Sequence, residues 1–490
     1  MAIDHVVAVD LGSSSVRAAL YDVHGRAGPR TEVRHPYRHR ARADGTSEAD
    51  ADALLRLASR CVSQALAAAG PRARASVVGV GMSTFWHGLV GADDASRALT
   101  PVYLWGDTRS AAASEDLRGR LDAEAVRQKT GCPIHPSYWP AKLAWLREAR
   151  PELWRRPVRW VSLGDLLFWR LFGRLGTSLS MASGTGLFLL DGLRWDAALL
   201  DELDVPVTRV PPVAEVERGL LPAHRRAWPA LADVPWFHAL GDGALANFGS
   251  GCLVPSRRSL TVGTTAALRV MHESSASRVP EGLWRYRLDA SRLVTGGALS
   301  SGGNVRDWLV ATLRLSGREL ELRLRSRAPG ADGLTFLPHL AGERGLGYAP
   351  QAFGAIAGLT ISTTAGDIAQ AGLEAVAIEL ARVSRRLDEV APAARVVASG
   401  GGVLHSPGWM QTIADAMGRP VAAGRALEAS SRGAALYVLE RLGLANPARL
   451  DPGVGRVYRP QAAATRALHA AEARQEALYE ALITDHVLGQ

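Results

Sequence analysis

A carboxylate and a run of hydroxyl groups follow the first apolar segment of the chain. The segments 6–9 and 16–21 are rich in β-branched or alternating apolar residues and predict two paired strands, with Asp10 at the end of the first. The turn between them holds Gly12, Ser13, Ser14 and Ser15. Glycine lets the backbone turn tightly and an anion approach, and the serines offer hydroxyl and N–H groups. The pattern favours a phosphate with a metal ion beside it, and an ordinary polar hairpin turn is the alternative interpretation.

A second segment far along the chain repeats this design. Apolar residues 260–262 lead into Gly263, Thr264 and Thr265, and a second alternating run follows. Two distant copies without a short-period repeat favour two related domains, each of which offers one hydroxylated hairpin to a shared ligand. A nucleoside triphosphate in the cleft between the domains fits this arrangement.

Two common nucleotide fingerprints are absent, because the sequence contains neither GxxxxGK[ST] nor GxGxxG between a strand and a helix. A nucleotide would therefore be held by hairpin amides, hydroxyls and magnesium rather than by a P-loop lysine. A further glycine run, "SGGG" at 399–402, follows a predicted strand over 395–398 and precedes the helical pattern "SPGWMQTIADAMG". Bare backbone at such a place can lie against a flat ring, and a tight strand-to-helix turn is the alternative.

The candidate for the chemical step is Asp242 in "HALGDGALANFGSGC". It follows the apolar pair 239–240 and lies between Gly241 and Gly243, which would let two substrates come close to the carboxylate. Phosphoryl transfer needs alignment, charge neutralisation and a base that takes the proton of the acceptor hydroxyl. An aspartate at an interdomain cleft meets that need, and a simple Gly-Asp-Gly turn is the alternative.

Three short stretches in the first half of the chain mix aromatic rings with polar side chains: "STFWHGL", "WGDTRS" and "HPSYWPAKLAWL". Carbohydrates are held by such mixtures, since rings pack against C–H faces and charged groups bind hydroxyls. The stretches together predict a pocket for a sugar acceptor, although each tryptophan alone is more typical of a core. They contain Trp86, His87, Trp105, Asp107, Arg109, Tyr138, Trp139 and Lys142.

The elements that must position these residues alternate between strands and helices in both halves of the chain. Apolar spacing predicts helices over 50–69 and 365–390 and a strand over 77–80. At 490 residues the chain is too long for one core and suits two α/β domains, which we place at 1–245 and 246–490.

Bulk composition excludes several function classes. The formal charge of +9 comes from scattered arginines, since only two of the 57 basic residues are lysine, and this disfavours a nucleic-acid surface. Cys61, Cys132 and Cys252 lie far apart and indicate neither a disulfide framework nor a zinc site. No basic leader and no membrane-length apolar run is present. We expect a cytoplasmic protein with small-molecule partners and neither a nucleic-acid nor a membrane partner, and a homodimer is compatible with the sequence.

Taken in order, these stretches resemble the FGGY family of carbohydrate kinases, within the superfamily of actin, hexokinase and Hsp70 ATPases. The likeness covers nearly the whole chain and is carried by "VDLGSSSVRAALYD", "WGDTRS", "GDGALANFGSG", "TVGTTAALRV", "GGALSSGGNVRDWL", "LPHLAGERGLGYAP", "SGGGVLHSPGWMQTIADAMG" and "SSRGAAL". The resemblance implies an α/β fold of two RNase H-like domains with an interdomain cleft. The N-terminal domain would bind the sugar and part of the phosphate, and the C-terminal domain would bind the nucleotide.

The resemblance also implies roles for individual residues, with ATP and Mg²⁺ as cofactors. The magnesium-associated aspartate is Asp10 and the catalytic base is Asp242. The implied phosphate contacts are Gly12, Ser13, Ser14, Arg17, Gly263 and Thr264. The implied contacts to the ribose, γ-phosphate and adenosine are Gly302, Gly303, Gly401 and Gly402. The implied sugar contacts are Trp86, His87, Trp105, Asp107 and Arg109, of which Trp86 stands where many relatives have methionine.

The activity expected from the resemblance is ATP-dependent phosphorylation of a terminal hydroxyl of an open-chain sugar or sugar acid. The stretches "GDGALANFGSG" and "GGALSSGGNV" look most like the gluconokinase branch, so D-gluconate is the expected acceptor. A xylulokinase or another pentulose or polyol kinase is the alternative within this class. An actin-like or chaperone-like ATP switch is the alternative from a different class, and the polar sugar cluster argues against it.

Overall fold

Two mixed β-sheets, one from each half of the chain, organise the computed structural model, which describes residues 4–273, 277–426, 428–450 and 453–485. The first sheet contains β1 (His5–Leu11), β2 (Ser15–Asp22), β3 (Val33–Pro36), β4 (Val77–Thr84), β5 (Val216–Glu217), β6 (Trp236–Phe237) and β7 (Leu240–Gly241). The second sheet contains β8 (Arg257–Val262), β9 (Ala266–His272), β10 (Trp284–Arg287), β11 (Leu293–Leu299), β12 (Arg395–Ser399), β13 (Val421–Gly424) and β14 (Val454–Tyr458).

The two sheets share one topology at their centres. The first has the order β5-β6-β4-β1-β2-β3, with β7 also beside β4, and the second has the order β10-β11-β9-β8-β12-β13-β14. In each, an antiparallel hairpin is extended by a third antiparallel strand on one side and by a parallel strand on the other. Each hairpin turn therefore lies at the edge of its sheet where the parallel strands end.

Ten helices matter for the packing and the site. They are α1 (Ala51–Ala68), α2 (Trp139–Ala149), α3 (Leu163–Phe172), α4 (Asp242–Gly249), α5 (Gly303–Thr312), α6 (Ala365–Asp388), α7 (Gly401–Leu404), α8 (Pro407–Met417), α9 (Ala429–Arg441) and α10 (Ala462–Tyr479).

Short elements fill the connections between these helices and strands. The short α-helices are Pro71–Ala75, Ala111–Arg120, Ala123–Thr130, Pro151–Trp154, Leu179–Ser183, Ala197–Glu202, Pro222–Ala227 and Gly317–Ser326. The 3₁₀ turns are Val207–Arg209, Pro229–Leu231 and Pro447–Arg449, and a π-helical turn spans Glu480–Thr484. The small strands are Arg40–Ala41, Ser47–Ala49, Val90–Ala92, Val102–Tyr103, Arg159–Val161, Phe188–Leu189, Arg194–Trp195, Thr335–Pro338 and Gly354–Ala357.

Local sequence signals explain where the two long predicted helices begin. The side chain of Asp50 accepts a hydrogen bond from the N–H of Ala53 at 2.8 Å and so caps α1. Thr364 and Asp367 form a reciprocal capping box at the start of α6. The helices predicted over 50–69 and 365–390 are thus confirmed, and α1 and α6 each connect the strands of one hairpin to the parallel strand beside it.

Helix α9 comes from the second half of the chain but packs in the core of the first sheet. A Cβ atom on Gly81 of β4 would lie 2.5 Å from the carbonyl oxygen of Ala434 in α9, so the helix rests directly on the strand backbone. Helix α4 meets α9 in the same way, because a Cβ on Gly249 would overlap the carbonyl oxygen of Ala429 and one on Gly433 would overlap that of Leu245. These three glycines set the distance between α9, β4 and α4.

The expected division of the chain at 245 and 246 falls within α4, so the ranges 1–245 and 246–490 stay a prediction. Within the described residues, no helix combines the length and the apolar composition that crossing a bilayer requires.

The contact between α4 and α9 predicts that Gly433→Ala destabilises the protein. Because the added methyl group would meet the backbone of Leu245 rather than a flexible side chain, the free energy of unfolding should fall by about 1–3 kcal/mol. The matched control is Gly119→Ala near the exposed end of a helix, where no atom lies within 4 Å. That change should be neutral or stabilising by up to ~1 kcal/mol. Equal urea midpoints for the two variants would contradict this account of the contact.

Candidate active site

The two predicted acidic residues lie at the same edge of the first sheet. Strands β1 and β7 pair in parallel with opposite sides of β4, and both Asp10 and Leu240 stand opposite Ser83. Asp242 follows two residues after Leu240, at the first position of α4. The register of three strands therefore brings together two carboxylates that are far apart in the chain.

A cavity of about 540 Å³ lies between the two sheets, at the edge where both hairpins turn. Many of the residues singled out from the sequence border it: Asp10, Gly12, Ser13, Ser14, Arg17, Trp86, His87, Trp105, Asp242, Gly263, Thr264 and Gly401. Arg344, from the stretch "LPHLAGERGLGYAP" that the resemblance includes, also borders it. Residues that the sequence did not single out border it as well: Arg34, Phe85, Arg269, Trp284, Tyr286 and Ser430 among them. The fold thus assembles one site from both halves of the chain.

Asp10 is buried and only half paired. Its Oδ2 accepts a hydrogen bond from Nη1 of Arg17 at 2.9 Å, and Arg17 also pairs with Glu428 at 3.1 Å. Its Oδ1 makes no hydrogen bond of ordinary geometry with the residues that the structure describes, although the hydroxyl of Ser83 lies near enough to favour the ionised carboxylate. Burial raises the pKa of Asp10, and the charge of Arg17 opposes this shift. This oxygen of Asp10 is therefore available to bind a cation in the cavity.

The residues at this edge fit Mg²⁺ of the kind that bridges to phosphates. Within the described residues, no cluster of three or more His, Cys, Asp or Glu side chains forms a complete protein cage for a metal. Mg²⁺ in phosphate-transfer sites commonly uses one or two carboxylates, with waters and substrate phosphates as its other ligands. Oδ1 of Asp10 is a suitable carboxylate oxygen for that arrangement.

Asp242 has the properties of a base that is ionised near neutral pH. Its Oδ1 accepts a hydrogen bond from the N–H of Gly243 at 2.8 Å. Burial and the nearby charge of Asp10 raise the pKa of Asp242 to about 6, against the opposing charge of Arg269. A carboxylate with a pKa just below the working pH can accept a proton efficiently.

The glycines beside Asp242 leave space for an aromatic side chain of the protein. A Cβ on Gly241 would overlap the indole of Trp86, and one on Gly243 would lie 2.5 Å from Cζ3 of that ring. The same indole also packs against Gly184 and donates from Nε1 to the carbonyl oxygen of Ser180 at 3.0 Å. Gly243 also borders the cavity, and the expectation that these glycines let two substrates come close to the carboxylate stays a prediction.

The two hairpin turns have related geometry. The N–H of Gly12 donates to the carbonyl oxygen of Ser15 at 3.0 Å, and the N–H of Gly263 donates to that of Thr265 at 2.9 Å. A Cβ on Gly263 would meet no atom within 4 Å, so this turn presents open backbone to the cavity. Such turns offer N–H and hydroxyl groups to an anion.

Three predicted nucleotide contacts lie behind the second hairpin rather than on the cavity wall. Gly303 donates its N–H to the carbonyl oxygen of Gly263 at 2.8 Å. A Cβ on Gly302 would lie 2.6 Å from the backbone of Thr265, and one on Gly402 would lie 3.0 Å from the carbonyl oxygen of Gly263. Their lack of side chains lets α5 and α7 support the turn closely, whereas Gly401 borders the cavity itself.

An aromatic wall forms one side of the cavity. The indole of Trp86 contacts the ring of Tyr286 at 4.8 Å between centroids, and Tyr286 stacks on Trp284 at 4.2 Å. Trp284 and Tyr286 belong to β10 of the second sheet and were missed by sequence reasoning. Their alternation in "WRYR" placed both rings on one face of a strand, but nothing local showed which face meets the first half of the chain.

His87 is held in a strained position beside this wall. It has a positive φ of 67°, and its Nδ1 lies 2.6 Å from the carbonyl oxygen of Gly184. Nζ of Lys142 donates a hydrogen bond to the carbonyl oxygen of His87 at 3.1 Å. Burial lowers the pKa of His87 well below its usual value, so the ring is neutral and Nδ1 carries the proton that Gly184 accepts. A non-glycine residue in this conformation is often found where a binding site requires it.

Two predicted sugar contacts lie outside the residues that border the cavity. The guanidinium of Arg109 pairs with Asp107 at 2.6 Å and with Glu48 at 2.9 Å, so its Nε and Nη2 donors are engaged by these two carboxylates. Arg344 instead borders the cavity, 4.5 Å from the ring centroid of Trp105. No hydrogen bond or ion pair joins Arg344 to any residue in the described part of the chain, which leaves its guanidinium free for a ligand.

Comparison with known proteins identifies the relatives of this chain. Residues 5–249 match the N-terminal domain of the FGGY family of carbohydrate kinases, and residues 259–439 match its C-terminal domain. The gluconokinase of Bacillus subtilis (strain 168) is 26% identical over 458 residues, which cover 90% of this chain and 88% of that protein. A glycerol kinase of Geobacter sp. (strain M21) is 30% identical over 447 residues, which cover 88% of this chain and 89% of that protein.

Solved structures show the same architecture. The gluconate kinase of Lactobacillus acidophilus superposes with a TM-score of 0.90 at 23% identity, covering 98% of both chains. A xylulose kinase of the same species superposes with a TM-score of 0.91 at 23% identity, also covering 98% of both chains. The expected fold of two RNase H-like domains with a cleft is confirmed by this likeness. Since the two family domains together match most of the chain, this protein is a member of the FGGY family of carbohydrate kinases.

Proposed function

We propose that this sugar kinase transfers the γ-phosphoryl group of ATP to the terminal hydroxyl of D-gluconate, which gives 6-phosphogluconate. The observation that carries the choice of a sugar acid is Arg344, a guanidinium with no hydrogen bond or ion pair to the described residues, at a cavity wall that also contains Trp105 and His87. A guanidinium presents a planar fork that suits a carboxylate. The gluconokinase and gluconate kinase among the relatives support the same acceptor.

The residues around the cavity divide the work of phosphoryl transfer. The turns at 12–14 and 263–264 hold the phosphates of ATP through N–H and hydroxyl groups. Asp242 accepts the proton of the acceptor hydroxyl as its oxygen attacks the γ-phosphorus. Asp10 would hold Mg²⁺, and that ion would neutralise phosphate charge when bound. Trp86, Trp284 and Tyr286 form an apolar surface for the C–H face of the acceptor.

A neutral acceptor such as xylulose or a polyol is the alternative within the family. Glycerol kinase and xylulose kinase are among the relatives, and both have sequences about as distant from this chain as the gluconate enzymes. The actin-like or chaperone-like switch has no support left, because both halves of the chain match domains of carbohydrate kinases.

Replacement of the proposed base, Asp242→Asn, should lower kcat by a factor on the order of 10² or more, while binding of an ATP analogue stays near the wild-type value. The wild-type kcat/KM should fall as the pH drops below about 6, because protonation of Asp242 removes the base. Steady-state kinetics across pH 5–9 and calorimetric nucleotide binding measure both effects. Turnover of the variant close to wild type would assign the base to another residue.

Loss of the proposed metal ligand, Asp10→Asn, should raise the Mg²⁺ concentration needed for half-maximal activity, because one carboxylate oxygen no longer binds the ion. Glu428→Gln is the matched control, since Glu428 pairs with the same Arg17 at 3.1 Å but does not border the cavity. A magnesium titration of activity compares the two variants. The same magnesium dependence in both variants and the wild type would exclude Asp10 from the metal site.

Recognition of the acceptor carboxylate is tested by Arg344→Met. Loss of a charge-assisted hydrogen bond should cost about 1.5–3 kcal/mol, so the KM for gluconate should rise by roughly 10-fold to 150-fold. The KM for xylulose, which has no carboxylate, should change far less. ADP release with gluconate, xylulose, ribulose, glycerol and erythritol measures acceptor preference in the wild type and the variant.

A comparison of Arg109→Met with Arg344→Met tests which of the two arginines binds the acceptor carboxylate. The sequence pattern indicates Arg109, whereas Arg344 borders the cavity. A larger rise in the gluconate KM for Arg109→Met than for Arg344→Met would move the carboxylate contact to Arg109. A wild-type preference for xylulose or a neutral polyol would overturn the choice of gluconate and leave the kinase activity and Asp242 in place.

A further inference from the structure

Arg269, on strand β9 of the second sheet, is a buried cation at the cavity that neither the sequence patterns nor the family resemblance assigned to a role. Its residue is only 6% exposed, and it borders the cavity together with Asp242 and Thr261. Burial lowers the pKa of this guanidinium to about 10, and the nearby Asp242 opposes the shift, so the group stays charged at neutral pH.

Two of the three guanidinium nitrogens hold Arg269 between elements from both halves of the chain. Nε donates to Oδ1 of Asn247 at 3.2 Å, on the helix α4 that begins with Asp242. Nη2 donates to Oγ1 of Thr261 at 2.6 Å, on the strand β8 that leads into the turn at Gly263. The side chain is therefore fixed against the element with the proposed base and the element with the second phosphate turn.

The third nitrogen, Nη1, is left for a ligand. It has no hydrogen-bond partner or ion pair among the described residues, and it lies 3.4 Å from the position that a Cβ on Gly243 would occupy. Nη1 of Arg269 therefore lies close to the backbone of Gly243, the residue that follows Asp242. Arg344, another cavity cation without a hydrogen bond or ion pair among the described residues, stacks on Trp105 and belongs to the acceptor wall. The two cations consequently serve different parts of the cavity.

We infer that Arg269 is a catalytic residue whose Nη1 donates a hydrogen bond to an oxygen of the phosphoryl group during its transfer. This inference rests on the proposed kinase reaction with Asp242 as its base. In the transfer step the acceptor oxygen forms a bond to the γ-phosphorus, the bond from that phosphorus to the departing ADP oxygen breaks, and the hydroxyl proton moves to Asp242. Arg269 changes no covalent bond and stabilises the charge on the equatorial oxygens.

The test uses Arg269→Gln, Arg269→Lys and Arg269→Ala in the full chain, with the acceptor that the wild type uses best. Removing a preorganised donor should lower kcat of Arg269→Gln by about 10²- to 10³-fold while the KM for ATP and for the acceptor change little. Arg269→Lys should retain more activity than Arg269→Gln because it keeps the charge. Added guanidinium should restore part of the kcat of Arg269→Ala. The acid limb of the pH profile of Arg269→Gln should move to higher pH, since Asp242 loses a neighbouring positive charge.

The matched control is Arg285, on strand β10 of the same sheet. It is equally buried, at 2% exposure, and its pKa is also lowered to about 10, but its donors bind Thr295 and Ser277 and it does not border the cavity. Arg285→Ala should therefore show no guanidinium rescue and no displaced acid limb, whatever it does to thermal stability.

A kcat of Arg269→Gln within about threefold of wild type would overturn the inference and leave the proposed function intact. A large loss of kcat without guanidinium rescue and without a displaced acid limb would also overturn it, because a purely structural role predicts that result. Lack of wild-type activity with ATP and every acceptor of the panel would overturn the proposed function together with this inference.

Discussion

The close contact between α4 and α9 is the constraint on which the site depends. Glycines at 249 and 433 let the two helix backbones touch, and Gly81 lets α9 rest on β4. Because Asp242 begins α4 and Ser430 of α9 donates to its carbonyl oxygen at 3.1 Å, this packing determines where the carboxylate lies. It also ties the second half of the chain into the core of the first sheet, so the cavity has a rigid floor at the junction of the two halves.

Electrostatics at the cavity follow from burial combined with nearby opposite charge. Asp10 and Asp242 are both removed from water, which raises their pKa values, and each is near a guanidinium that opposes the shift: Arg17 for Asp10 and Arg269 for Asp242. Each carboxylate therefore has a nearby cation that favours its ionised form. The additional negative charge of phosphates would need a further cation, which the proposed Mg²⁺ beside Asp10 would supply.

Trp86 shows how one pattern in the sequence can have a second physical cause. The glycines at 241 and 243 lie beside the proposed base, and their missing side chains accommodate the indole of Trp86. That indole in turn packs on Tyr286, which extends the acceptor wall into the second sheet. Trp86 and Gly241 are 155 residues apart in the sequence, so the glycines alone could not indicate that this indole packs against them.

The sequence alone determined the repeated hairpins, the long helices α1 and α6 and the family, because strand alternation, helix caps and glycine-hydroxyl turns are local patterns. It also brought out Asp10 and Asp242, since each stands next to the end of an apolar segment. Only the tertiary structure decided that Trp284, Arg269 and Arg344 border the cavity whereas Arg109 pairs with Asp107 and Glu48. The physical reason is that these side chains become neighbours through the pairing of strands and the packing of α9 across the two halves, and neither interaction leaves a local mark around the residues it brings together.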